Sequence, residues 1–171
     1  MSDSRQICER CGKLHEKSLD ERAPSQAVAI LPAMKVIVHV DGGARGNPGP
    51  AAAACVVSDP DGKVLEERAR LLGNVTNNVA EYRALLLGLE CARGLGASEV
   101  EVIGDSELIA KQVQGVYKVK HAAMRPLHSE AMAALREFDR WSIRTVPRAR
   151  NAHADALVNA ALDQARAAKR S

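Results

Sequence analysis

The sequence predicts an α/β fold: a mixed five-stranded sheet, three strands antiparallel and the later ones parallel, with helices on both faces. Three observations predict it. Short runs rich in β-branched residues alternate with segments of helical periodicity, in the order β-β-β-α-β-α-α-β-α. The first three strands follow one another through tight turns, whereas each later strand is reached through helices and so pairs parallel. Hydrophobic residues make up 46% of the chain but aromatics only 2%. The core must then be built from Ala, Val, Leu and Ile, which favours helices packed on a sheet.

Residues 35–41 form the first strand, ended by glycines and a Pro-Gly turn. Residues 51–58 form the second, and Asp59-Pro-Asp-Gly62 turns it into the third at 63–72. Thr76, Asn77 or Asn78 caps a helix reaching about Gly94, with Ala84, Leu85, Gly88, Leu89 and Ala92 at helical spacing. A strand at 99–104 follows, then a short helix at 106–114 that stops at Gly115, and a helix at 122–139. The last strand is 141–146 and the last helix 152–169, with Ala154, Leu157, Val158, Ala161, Leu162 and Ala165 on one face.

The 171 residues make one domain of ordinary size plus an appendage. Residues 1–33, polar and rich in Pro near their end, read as appendage and linker, and 34–171 as the folded domain. No apolar run approaches the ~20 residues that cross a bilayer, and the start lacks a secretory signal, so a cytoplasmic location is the default. Net charge is only +3, which says little about partners. Its distribution says more: Lys118, Lys120, His121 and Arg125 cluster, as do Arg144, Arg148 and Arg150, and either group could hold a phosphate backbone. Cys55 and Cys91 read as reduced packing residues. Cys8, Cys11 and His15 stand at zinc-ligand spacing, but no second Cys pair closes a tetrahedral site.

Four acids stand where a strand ends or a helix begins: Asp41, Glu81, Asp105 and Asp155. In a sheet of this kind ligands gather at the carboxyl ends of the strands, so four separate elements deliver one acid each to one edge. Oxygen ligands suit Mg²⁺ or Mn²⁺ rather than zinc. If the four converge, the chemistry is two-metal phosphoryl transfer.

The motifs Asp41-Gly-Gly-Ala-Arg-Gly-Asn-Pro-Gly-Pro50, Thr76-Asn-Asn-x-x-Glu81, Gly104-Asp-Ser106 and Asn151-x-x-x-Asp155 resemble those of type 1 ribonuclease H in order and spacing, over about residues 35–168. The resemblance implies the ribonuclease H-like fold and an endonuclease that hydrolyses the RNA strand of RNA–DNA hybrids, leaving a 5′-phosphate and a 3′-hydroxyl. It implies that Asp41, Glu81, Asp105 and Asp155 are the catalytic, metal-binding acids for two Mg²⁺ ions, with Mn²⁺ as a substitute. Asn47, Asn77 and Asn78 match positions that contact the hybrid in its minor groove, and Thr76 one that binds a DNA phosphate. Each also has a local reading as a turn or cap residue.

The sequence departs from the family in three places. Glu107 stands where many relatives carry Gln. The catalytic-loop histidine has no clear match, and Arg148 or Arg150 is expected in its role ahead of His153. The run Tyr117-Lys-Val-Lys120 passes straight into the next helix, so the basic handle is missing, as in some prokaryotic relatives. His39, on the same strand face as Asp41, reads as a partly buried structural histidine. Competing readings are a ribonuclease H-fold nuclease of broader substrates (double-stranded RNA or DNA junctions) and a non-catalytic nucleic-acid-binding module.

Overall fold

The computed structural model describes residues 32–170. Cys8, Cys11 and His15, with nearly all of the expected appendage, lie outside the described residues. Strands β1 (Lys35–Ala44), β2 (Gly49–Ser58) and β3 (Val64–Val75) form the meander. Helix α1 (Asn77–Gly94) leads to β4 (Glu99–Gly104), then α2 (Glu107–Val113), α3 (Met124–Leu135), β5 (Arg140–Thr145), a 3-10 turn (Arg148–Asn151) and α4 (Ala152–Ala168). The sheet order is β3-β2-β1-β4-β5, with β1 parallel to β4 and β4 parallel to β5. The expected mixed sheet is what forms. No helix among the described residues is long and apolar enough to cross a membrane.

Alternation along β1 and β2 decides which helix covers which face. Val36, Val38 and Val40 with Ala53, Cys55 and Val57 point to the side of α1, α2 and α3 and build the larger core. Ala52 and Ala54 point the other way, where Val158 and Leu162 of α4 cover them. Small residues at this second face let α4 lie close to the sheet.

Helix α1 sets the geometry of the whole upper edge. A Cβ on Gly88 would stand 2.6 Å from Val38 Cγ1 and 2.8 Å from Val40 Cγ1, so at this point the helix backbone rests directly on the valine side chains of β1. Thr76 Oγ1 caps it, accepting from the Val79 amide at 3.4 Å. In its buried middle, the Tyr82 hydroxyl donates to Gln112 Oε1 at 2.7 Å and ties α1 to α2.

Several boundaries differ from expectation. Strand β3 runs on to Val75 because a bulge opposite Ala51 and Ala52, with Gly73 at φ +72°, lets pairing resume past Leu71-Leu72, where alternation breaks. Helix α3 is shorter at both ends than 122–139. It places Pro126 in its first turn, where a missing N–H costs nothing, and residues 136–138 close tighter turns instead of continuing it. Asp41 is not at the end of its strand, since it pairs with Ala54 and β1 continues to Ala44. What ends beside it is the parallel ladder to β4, whose last pair is His39 with Ile103.

Candidate active site

The carboxylates meet where the β1–β4 ladder parts. Asp41 lies on β1 just past the split, and Asp105 follows the last residue of β4. Glu81 projects from α1 two turns before Gly88, the residue that lets the helix approach the strand. Gly42 completes this approach: a Cβ there would come within 2.2 Å of the Ala80 carbonyl carbon and 2.5 Å of the Glu81 nitrogen. A methyl group at Gly42 would therefore push α1, and Glu81 with it, off the edge.

Oxygen atoms of Asp41, Glu81 and Asp105 lie within 4.8 Å of one another. Such a cluster is costly. Burial, then the charges of Asp41 and Asp105, push the Glu81 carboxyl up to about 9. Burial, then Asp105 and Asp155, push Asp41 up to about 6, against the opposing pull of Arg148 and the Gly42 amide. The three acids fit a divalent cation, because a hard ion bound by oxygens removes the repulsion that raises both groups.

Asp155 belongs to the same pocket of about 180 Å³ but stands apart from the trio. It sits in the first turn of α4, and Arg148 Nη2 donates to its Oδ1 at 2.5 Å. Asn159 Nδ2 donates to Asp155 Oδ2 at 3.2 Å. The fourth acid is thus held by an arginine of the preceding 3-10 turn, seven residues upstream. Arg150 does not share this place: it lines a separate pocket with His39, Asn151 and His153. His153 turns away to pair with Glu67 at 2.6 Å. His39 is half-buried, and its pKa is lowered by burial, then by Arg144 and His153.

Asn77 lines the acid pocket, Asn47 is bonded to it, and Asn78 is exposed in the first turn of α1. Asn47 Oδ1 accepts from the Asn77 amide at 3.1 Å, and Asn77 Oδ1 accepts from the Ala44 amide at 3.4 Å. The loop after β1 and the start of α1 are thereby pinned together, so both local and substrate-facing readings stay open to these side chains. Glu107 pairs with Lys111 one turn on.

Several members of the two basic clusters are already bonded within the chain. Arg144 is bound to Glu101 at 2.8 Å, while Arg148 and Arg150 part to different pockets. Arg125 spends its guanidinium on the carbonyls of Val119 and Lys120, both at 3.3 Å, and His121 Nδ1 accepts from the Ala123 amide. Of these cations Arg144 and Arg148 are paired with carboxylates, whereas Arg125 keeps its charge on carbonyl partners.

Asn151 has a part that sequence reasoning missed. It is 2% exposed, and its Nδ2 donates to the Val40 carbonyl at 2.8 Å, fixing the start of α4 to β1 one residue before Asp41. Its place four residues before Asp155, at a helix start, was the available signal. Arg45, which lines the acid pocket from the β1–β2 loop, gave none beyond its position in the glycine-rich run.

A sheet of this order, carrying acids at the split between β1 and β4, defines the class of ribonuclease H-like folds, and comparison with known proteins narrows it. The reverse transcriptase-like family model matches residues 39–161. The bifunctional protein Rv2228c of Mycobacterium tuberculosis is 48% identical over 133 residues, covering 77% of this chain and 36% of that protein. The chain thus spans about a third of the length of that relative. Ribonuclease HI of Halobacterium salinarum is 44% identical over 131 residues, covering 77% of this chain and 66% of that protein. Among solved structures, the N-terminal RNase H domain of Rv2228c aligns with a TM-score of 0.77 at 46% identity, covering 80% of this chain and 99% of that one. LC11-RNase H1, solved in complex with an RNA/DNA hybrid, aligns at 0.73 and 44% identity, covering 76% and 98%. The chain belongs to the reverse transcriptase-like family, and its likeness within that family runs to the type 1 ribonuclease H proteins.

Proposed function

We propose that this chain is an endoribonuclease that hydrolyses the RNA strand of RNA–DNA hybrids and leaves 5′-phosphate and 3′-hydroxyl ends. The observation that carries the reading is the trio of carboxylates within 4.8 Å at the sheet edge, two of them pushed far from their ordinary titration. A pure binding module gains nothing from acids facing a phosphate.

In this reading Asp41, Glu81 and Asp105 hold divalent ions, Mg²⁺ with Mn²⁺ as a substitute, and Asp155 joins them. Two such ions supply an activated water and charge to stabilise the departing 3′-oxygen. Every other part falls to the chain. Asn151 and the two close-approach glycines, Gly42 and Gly88, hold the acids in place. Asn47, Asn77 and Asn78 read the minor groove by shape, Asn47 and Asn77 through the amide nitrogens that the bonds to their Oδ1 atoms leave over. Thr76 contacts a DNA-strand phosphate. Arg148, released from Asp155, places its guanidinium beside the phosphate being cut or the product leaving. Arg150 lines the other pocket and has no such reach.

Labelled hybrid, duplex RNA and duplex DNA incubated with Mg²⁺ test this. Internal cuts confined to the RNA of the hybrid are expected, and equal cutting of duplex DNA would refute the substrate. In the same assay Arg148→Ala should lower kcat by roughly 10- to 100-fold, whereas Arg150→Ala should leave it nearly unchanged. Equal losses in both would remove the distinction.

The proposal keeps residues 1–33 as an appendage to a catalytic domain of 34–171, and zinc at Cys8, Cys11 and His15. Metal analysis of the purified chain should find zinc; none, with both thiols freely reactive, ends that part. A cytoplasmic setting goes with the free, buried thiols of Cys55 and Cys91, where Cys55 Sγ donates to Cys91 Sγ at 3.5 Å and no disulfide joins them.

A further inference from the structure

On the α4 face of the sheet, a groove of about 250 Å³ adjoins the acid pocket and shares Arg45 and Leu162 with it. Its floor is apolar: Pro50, Ala51, Leu71 and Leu162. Leu71 pairs with Ala52 on β2 and remains 53% exposed, because α4 runs past without covering it. Its rim is cationic. Arg45 stands at the end nearest the acids, and Arg166 and Lys169 stand along α4.

The pattern along α4 gives these cations meaning. Val158 and Leu162 lie on the core stripe against Ala52 and Ala54. The next positions on that face are Ala165, Arg166 and Lys169, at i+3, i+4 and i+7 from Leu162. An ordinary amphipathic helix would continue the stripe with apolar residues to cover Leu71. Here the stripe turns positive as it leaves the core. Neither Arg166 nor Lys169 has a carboxylate partner among the described residues. Asp163 is the nearby acid, and Arg45 Nη2 engages it at 2.7 Å.

We propose that this groove carries the phosphate backbone of the strand being cut, beyond the acid pocket, with Arg45, Arg166 and Lys169 as its contacts. The inference rests on the reading of the acid pocket as the place where a phosphodiester is cut, and it extends that strand's path. A polyanion held at the acids must leave along some surface, and this one is contiguous, cationic and floored by groups on which sugars can rest. Asp163 acts as a brake, since it neutralises Arg45 while no strand is present.

The test measures binding in the Asp105→Asn background, where hybrid stays uncut, by fluorescence anisotropy over a series of salt concentrations. Adding Arg166→Ala and Lys169→Ala together should weaken binding of a long hybrid roughly 5- to 20-fold near 0.1 M salt. It should also reduce the slope of log K against log salt by about 1–2, one unit per lost phosphate contact. A hybrid too short to leave the acid pocket should show no difference. Asp163→Asn should act in the opposite direction, tightening the long hybrid by roughly 2- to 5-fold. Circular dichroism checks that each variant is folded. Unchanged affinity and salt slope in the folded double variant would overturn the proposal, as would equal losses on short and long hybrids. Failure of the unaltered chain to cut hybrid would strike the functional reading alone, because the binding series reports on the groove without any cleavage.

Discussion

Asp105→Asn is expected to lower hybrid cleavage by about 10³-fold or more, with the fold unchanged. The substitution keeps the size of the side chain but removes one of the three carboxyl groups whose oxygens lie within 4.8 Å. A cation held by charge and hard oxygens loses both in one step. The fold should not suffer, for a reason the electrostatics supply. The Asp105 carboxylate raises both Asp41 and Glu81, so its removal relieves repulsion in the metal-free protein. Residual cleavage within tenfold of the unaltered chain, at saturating Mg²⁺, would show that Asp105 stands outside the chemistry.

The second large effect is on stability. Glu81 is pushed up to about 9 from an ordinary 4.5, and Asp41 to about 6 from 3.8. A carboxyl whose folded-state pKa is raised favours the fold in its protonated form. That contribution is complete below the ordinary carboxylate range and is lost as pH rises through the raised values. In chelator, the protein should therefore lose several kcal/mol of stability as pH rises from the ordinary carboxylate range through the raised values of Asp41 and Glu81. Mg²⁺ should restore much of it above neutrality, since binding to the folded state alone stabilises it. Glu81→Gln should flatten the pH slope and raise the metal-free Tm at pH 8 by roughly 5–10 °C, while abolishing cleavage. An active site then appears as a stability cost carried for function. Thermal melts across pH, with chelator and with Mg²⁺, decide it. A metal-free Tm that stays flat from pH 5 to 9, with Glu81→Gln less stable than the parent, would mean the carboxylates are not in conflict.

The sequence by itself determined the order of elements and the mixed sheet, and it singled out Asp41, Glu81 and Asp105, which the fold brings together. Periodicity of 2 and 3.6, the Asp59-Pro-Asp-Gly62 turn and the capping of α1 by Thr76 are local facts, and local facts survive into the fold. Only the tertiary structure decided which charges are available. Arg148 and Arg150 are two residues apart, yet they serve different pockets because both lie in one 3-10 turn, where positions two apart point in different directions. Arg125 folds back onto the carbonyls of Val119 and Lys120 in its own loop. Asp155 shares the acids' pocket but is bound to Arg148, which no spacing rule could say. Nor could spacing show that Gly42 and Gly88 are what bring Glu81 over Asp41. The physical reason is the same in each case. Hydrophobic pattern is written along one dimension, whereas charge pairing and close approach depend on distances that exist only once distant segments have packed.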